Sequence, residues 1–351
     1  MNDLFYEKIS VPKKNRMDTF KVGKWVELHP KNEVVQVAKA GFTCIQHQDK
    51  IYLYGGKNYQ NETLNPDIYS FCLRTYEWEK INTNGKQPED RCGHSMCAIH
   101  NNIYVWGGYD EITWFQEVYI FDTQNDNWSK SQSTSSSLPE GRYSFSMIPY
   151  KKKFYIFGGV PSNQRRFNDL WSFDIESNEW EEIKPKGKIP FARSSHSSLL
   201  HNDKMYIFGG LGKNIIRRND LWYFDFFNNY WVEIQQNETV PNLPVGSGIL
   251  AEIFHDRYFV LFSGYNSKKT WSNSNYVLDL ETKEWRKLQS KTKKPPKRYG
   301  ASCARYFDKW IVFGGQVNNS ESLQDIHFFI FEEDLAKDLH NFLRMEELID
   351  I

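Results

Sequence analysis

The sequence has no net charge: Lys plus Arg and Asp plus Glu number 44 each. A basic excess is the footprint of a nucleic-acid binder, so that class is set aside. No apolar run reaches the roughly 20 residues of a membrane-spanning helix, and the opening stretch MNDLFYEKISVPKKNR lacks the apolar core of a secretory signal. Cysteine is scarce. The five residues (Cys44, Cys72, Cys92, Cys97 and Cys303) are odd in number, scattered, and contain no CxxC pair, which excludes a disulfide framework and a paired-thiol metal site. Cys44, Cys97 and Cys303 recur about ten residues before a glycine pair and read as buried, reduced thiols. That places the chain in the cytoplasm, with the nucleus as the other reducing compartment. No metal and no cofactor is expected. The glycine pairs are not followed by a helix and a lysine, so no phosphate cradle forms. No nucleophile–base pair can be read from spacing. His47, His100, His201 and His255 crowd one recurring turn, and His94 and His196 occupy equivalent places, which is the behaviour of architecture. The chain is read as a non-enzyme, with a propeller enzyme as the alternative.

What the sequence has is one stretch written six times. Each copy is an apolar run ending in a glycine pair, then an alternating run, then a Trp. The pairs are Gly55-Gly56, Gly107-Gly108, Gly158-Gly159, Gly209-Gly210, Ser263-Gly264 and Gly314-Gly315, and successive second glycines are 52, 51, 51, 54 and 51 residues apart. The Trp residues keep step at Trp25, Trp78, Trp128, Trp180, Trp231 and Trp285. Each repeat reads as four strands, a to d. Strand a follows an Arg in four copies (Arg91, Arg142, Arg193 and Arg298), and strand b is the near-continuous apolar run of a strand buried on both faces. A period near fifty with four short strands points to radial repetition of small sheets.

These motifs (the glycine pair, the aromatic after the Asp-led strand c, the spaced Trp) resemble the kelch-repeat family over residues from about 21 to 333. The resemblance implies an all-β, six-bladed kelch-type β-propeller, usually a protein-binding module. The first copy of the Trp strand, GKWVELHP, has no unit before it, and the sixth unit lacks a closing Trp strand. The strand around Trp25 is therefore expected to complete the last blade and close the ring. The organisation expected is a flexible leader over 1–20, the propeller over 21–333, and a C-terminal helix over 334–351. That tail, LAKDLHNFLRMEELIDI, resembles the run-in to a BTB domain, which implies a substrate adaptor of a cullin-type ubiquitin ligase.

Antiparallel order puts the b–c and d–a loops at one end of the ring and the a–b and c–d loops at the other. The first end carries Arg165, Arg166, Arg217, Arg218, Lys268, Lys269 and the strand-entry Arg298, with Tyr109, Trp114 and Trp271 beside them. The second is rich in Asp and Glu. Arginine beside aromatics is the composition of a protein-binding hot spot. The expected function is a scaffold or interaction module whose basic face holds an acidic segment of a protein partner. The partner-binding candidates are Arg165, Arg166, Arg217, Arg218, Tyr109, Trp114, Trp271 and Arg298, on a propeller expected to be monomeric. A small-molecule enzyme or specifier with a site at the propeller axis is the remaining reading.

Overall fold

The structure is a computed structural model that describes residues 22–32, 40–58, 62–64, 66–237, 246–266, 270–318 and 321–331. The leader over 1–20 and the helix expected over 334–351 lie outside the described residues.

The described chain is an all-β propeller. In the third repeat, Ser146–Tyr150, Lys153–Phe157, Leu170–Asp174 and Glu179–Ile183 form an antiparallel meander, strands a to d. The fourth repeat does the same, with longer b and c strands, Lys204–Leu211 and Arg217–Asp225. Among the described residues the sixth repeat supplies three strands of its own. The strand Val22–Leu28 lies antiparallel against Ile326–Phe331, in register from Gly23↔Phe331 to Leu28↔Ile326.

The sheets do not separate into six independent four-stranded arrays. Among the described residues there are three of four strands, one of five, one of eight and two two-stranded ladders. The cause is a contact at the rim. The end of one repeat's strand d runs alongside the start of the next repeat's strand d. It appears as Lys31 N–H to Tyr76 O (2.9 Å), Asn84 N–H to Asp126 O (2.9 Å), Lys186 N–H to Asn229 O (3.0 Å) and Asn237 N–H to Lys283 O (3.0 Å). Where this contact extends to two parallel residue pairs, as at Val22↔Gln289 and Gly23↔Ser290, two four-stranded meanders fuse into the eight-stranded sheet.

The core is divided in the same manner. Its hydrophobic clusters each lie between consecutive repeats, and one joins the sixth repeat (Ile311, Phe313, Ile326) to the first (Phe42, Leu53, Trp78). The recurring Trp explains the period. Each strand-d Trp packs on the last strand-b aromatic of the preceding repeat: Trp128 on Tyr54 (5.3 Å), Trp180 on Trp106 (5.3 Å), Trp231 on Phe157 (4.9 Å) and Trp285 on Phe208 (5.7 Å). Trp78 meets Phe313 at 6.0 Å and Trp25 meets Phe262 at 4.5 Å. Buried aromatic area of this kind adds to the inter-repeat cohesion that the aliphatic side chains of the same clusters supply.

The strand-entry arginines are fully buried. Arg193 donates to its own repeat's Gly209 O (2.8 Å) and makes a two-pronged bond to Asp220 (2.9 and 2.7 Å). Arg142 repeats this with Gly158 O and Asp169, and Arg298 with Gly314 O and Asp325. The carbonyl of each entry Arg in turn accepts from the preceding glycine pair, as in Gly159 N–H to Arg193 O at 2.9 Å. In the fifth repeat the glycine is replaced by Ser263, whose hydroxyl also donates to Arg298 O, at 2.6 Å. A guanidinium paired and bonded on every side is the form in which a buried charge is tolerated.

Candidate functional site

Strand a of every repeat begins at the axis with a residue in the left-handed region: Gly41, Gly93, Ser144, Ser195, Gly248 and Gly300, with φ from 52° to 69°. Backbone bonds link them around the axis: Gly41 N–H to Gly300 O (3.2 Å), Gly93 to Gly41 (2.7 Å), Ser144 to Gly93 (2.9 Å), Ser195 to Ser144 (2.8 Å) and Gly248 to Ser195 (2.8 Å). At Gly248 a Cβ would come within 2.5 Å of the Tyr299 ring, so glycine is required there by space as well as by φ.

The ring opens into a cavity of about 380 Å³, lined near its mouth by Tyr109, Tyr143, Tyr299 and Gln316. None of the lining residues carries a carboxylate, ammonium or guanidinium. His196 lines it by position, but its imidazole lies edge-on to Phe157 (5.6 Å) with both ring nitrogens unpartnered. Burial first, and the Arg193 charge second, push its pKa down to about 3, so it is neutral and wedged between repeats. Cys44 is also inert: burial pushes its thiol up to about 12.

Aromatic side chains form an arc around the mouth. Tyr109 stacks with Trp114 (5.7 Å) and meets Tyr143 (4.6 Å); across the mouth Tyr299 meets Tyr265 (6.3 Å) and Trp271 (6.5 Å). Arginines sit on the same surface. Arg217 lies 4.4 Å over the Tyr265 ring and Arg218 lies 4.3 Å over Phe191, itself 59% exposed. Arg166 donates from Nε to Ser194 Oγ (3.2 Å), and Arg165 is exposed. Among the described residues no carboxylate forms an ion pair with any of these four arginines. In the fourth repeat the b and c strands continue past a bulge through Gly210↔Arg218 and Leu211↔Arg217 to a tip with Ile215 and Ile216 exposed.

Of the eight residues singled out in sequence, the structure brings Arg165, Arg166, Arg217, Arg218, Tyr109, Trp114 and Trp271 to this end. Arg298 does not belong with them. Its side chain is fully buried and its guanidinium is spent on Asp325 and Gly314 O, so no partner reaches it. Lys268 and Lys269 lie outside the described residues. Two of the d–a lysines turn to the rim: Lys184 pairs with Glu182, and Lys188 with Glu233 (2.6 Å). The acids at the opposite end are largely paired as well, Asp49 with Arg74 (2.9 Å) and Glu176 with Lys152 (2.6 Å). Tyr143, Tyr265, Tyr299 and Phe191 were missed. The signal was available, because Tyr143 and Tyr299 each follow an entry Arg, and Tyr109 and Tyr265 each follow a glycine of the pair.

Comparison with known proteins agrees with this geometry. Residues 15–210 match the model of the KLHDC2/KLHL20/DRC7 Kelch-repeats domain. The chain belongs to the kelch-repeat family. Residues 173–292 also match the Attractin/LZTR1 beta-propeller model. A kelch relative, Kelch domain-containing protein 3 of Homo sapiens, is 33% identical over 50% of this chain and 51% of its own length. The Leucine-zipper-like transcriptional regulator 1 homolog of Drosophila melanogaster is 25% identical over 93% of this chain and 35% of its own. An N-(sulfonatooxy)prop-2-enimidothioate sulfolyase of Thlaspi arvense is 24% identical over 88% and 97%. The solved structure of YjhT shares the fold, with a TM-score of 0.65 at 16% identity, covering 83% of this chain and 94% of that one. Among the described residues no helix is long and apolar enough to cross a membrane, and no group of three or more His, Cys, Asp or Glu residues is placed to hold a metal.

Proposed function

We propose that this kelch chain is a protein-interaction module whose b–c loop face receives an acidic segment of a partner. In this reading the eight-stranded sheet counts as two blades, which makes a six-bladed propeller spanning the repeats. The observation that carries the proposal is the set Arg165, Arg166, Arg217 and Arg218: four guanidinium groups at one end of the ring, without an ion pair to a carboxylate among the described residues, two of them lying over aromatic rings. The Nε atoms of Arg217 and Arg218 are buried, so a carboxylate would be met by the terminal amino groups of the guanidinium, with the rings supplying apolar contact. The cavity at the axis offers hydroxyls, tyrosines and backbone groups, a lining suited to seating an uncharged group of the bound segment.

The test is affinity capture from lysate, comparing wild type with Arg165→Glu/Arg166→Glu/Arg217→Glu/Arg218→Glu after matched thermal melts. The expected outcome is a partner retained by wild type and lost from the variant, with an acidic stretch at its contact site. Identical capture by both proteins would show that the arginines are solvated surface and would end the proposal. A substrate adaptor of a ubiquitin ligase is the second reading. It uses the same face and is favoured by the match to the Attractin/LZTR1 propeller model. A ligase subunit among the captured proteins, still present with the four-site variant, would separate the two roles.

A further inference from the structure

The b–c face is not uniformly basic. Its loops divide along a line through the axis. Arg165, Arg166, Arg217 and Arg218 all belong to the third and fourth repeats. The loops of the first, second and sixth repeats carry Glu62, Asp110, Glu111 and Glu321, of which Glu62, Glu111 and Glu321 are exposed. Two observations show that the acidic half is built rather than scattered. Glu111, held at φ 82°, ion-pairs across the repeat boundary with Lys57, a side chain only 10% exposed that Glu62 also holds at 2.9 Å. These hydrogen bonds, to Glu111 first and Glu62 second, raise the Lys57 pKa. Asp110 is fixed by accepting the backbone N–H groups of Ile112 (3.0 Å) and Thr113 (2.6 Å). Among the described residues, Lys57 is the one cation of these three b–c loops, so it cannot neutralise the four carboxylates and the loops themselves keep a negative excess. The aromatic floor is continuous across the boundary: Tyr109 of the second repeat touches Tyr143 of the third at 4.6 Å.

We infer that the partner segment reverses charge along its length: an acidic stretch lies over the arginines of the third and fourth repeats, and a basic residue lies beyond the axial mouth against Asp110 and Glu111. This rests on the proposed binding of an acidic segment and adds the partner's second feature. An all-acidic segment long enough to cross the mouth meets repulsion at Glu111. A segment with a lysine or arginine there gains instead, and opposite fields at the two ends fix the direction in which it lies.

The experiment uses two fluorescein-labelled synthetic peptides and the full chain, read by anisotropy. One peptide has four glutamates, a Gly-Ser spacer and two lysines. The other has serines in place of the lysines. Both are made with the acidic block at either end, because the direction of the bound segment is itself a result. Wild type is expected to bind the charge-reversing peptide about threefold to tenfold tighter in one of the two orders, the range for two partly exposed ion pairs. In Asp110→Asn/Glu111→Gln that preference is expected to vanish while the serine peptide binds as well or better. Equal or tighter binding of the serine peptide by wild type, in both orders, overturns this inference and leaves the acidic-segment reading standing. A preference that survives Asp110→Asn/Glu111→Gln overturns it too, because the lysines would then be held elsewhere. Failure of every peptide to bind overturns both readings.

Discussion

At the scale of single residues, repetition has two meanings that the sequence alone does not separate. Arg193 and Arg218 are both arginines near the same end of the fourth repeat. One is fully buried, bonded to Gly209 O and Asp220; the other lies over Phe191. The recurrence of the entry arginines was legible, and so was the Asp that begins strand c, 27 residues after Arg142, Arg193 and Arg298. Their pairing was not, because it joins the first and third strands of a meander across the second. The Arg298 error came from that gap. Burial would raise the Asp220 pKa, yet the Arg193 bonds hold it below the usual carboxylate value. His196 shifts in the same protective sense: it is neutral when folded, at about 3, and nearer 6.5 when unfolded. Between these values the unfolded chain binds the extra proton, so stability rises with pH over that window. It is complete above about 6.5 and declines as pH falls toward the folded value. Asp220 acts lower, its contribution being lost as pH drops through its depressed value. The equivalent place in the third repeat is Phe145, which makes His196→Phe a compatible exchange. Thermal melts of this variant are expected to lose less between pH 6.5 and 4.5 than wild type. His47 and His201, whose pKa values are also lowered by burial, keep part of the slope.

At the scale of elements, the strand Val22–Leu28 carries the most information. Two defects were visible in the sequence, a Trp strand without a repeat before it and a repeat without a Trp strand. The coordinates add the register, Trp25↔Phe329, and the surroundings of the ring: Phe262 at 4.5 Å, Phe329 at 5.2 Å and Asn275 Oδ1 accepting from Nε1 at 3.3 Å. Trp25→Ala is expected to destabilise the whole propeller by about 3–5 kcal/mol, the usual effect of emptying a large aromatic site in a packed core. Urea unfolding measures this, and a loss under about 1 kcal/mol, typical of a frayed terminal strand, would contradict the role assigned. The merging of sheets at the rim was not legible. It depends on strand tilt, which brings the end of one outer strand beside the start of the next, and no pattern of hydrophobic residues encodes that angle.

At the scale of the molecule, a net charge of zero conceals an uneven surface, and the sequence showed this only coarsely. Sorting loops by strand direction put the four arginines at one end. It could not show that Lys184 and Lys188 turn to rim glutamates, or that most acids at the far end have partners. The four arginines on the loop face lack an ion pair among the described residues, and binding there is steered by fields that salt screens. Affinity for an acidic peptide is expected to fall about tenfold between 20 mM and 150 mM salt. A flat salt response would mean that apolar contact with Trp271, Tyr265 and the Ile215–Ile216 tip dominates. The backbone links around the axis bear on this field in another way. The five links run head to tail in one rotational sense, so the in-plane parts of the peptide dipoles on opposite sides of the ring oppose one another. The net charge a ligand meets there is therefore carried by side chains around the mouth, because the cavity lining itself holds no charged group. Its sign can be changed repeat by repeat through side chains such as Arg165 and Glu111, which lie outside the strands.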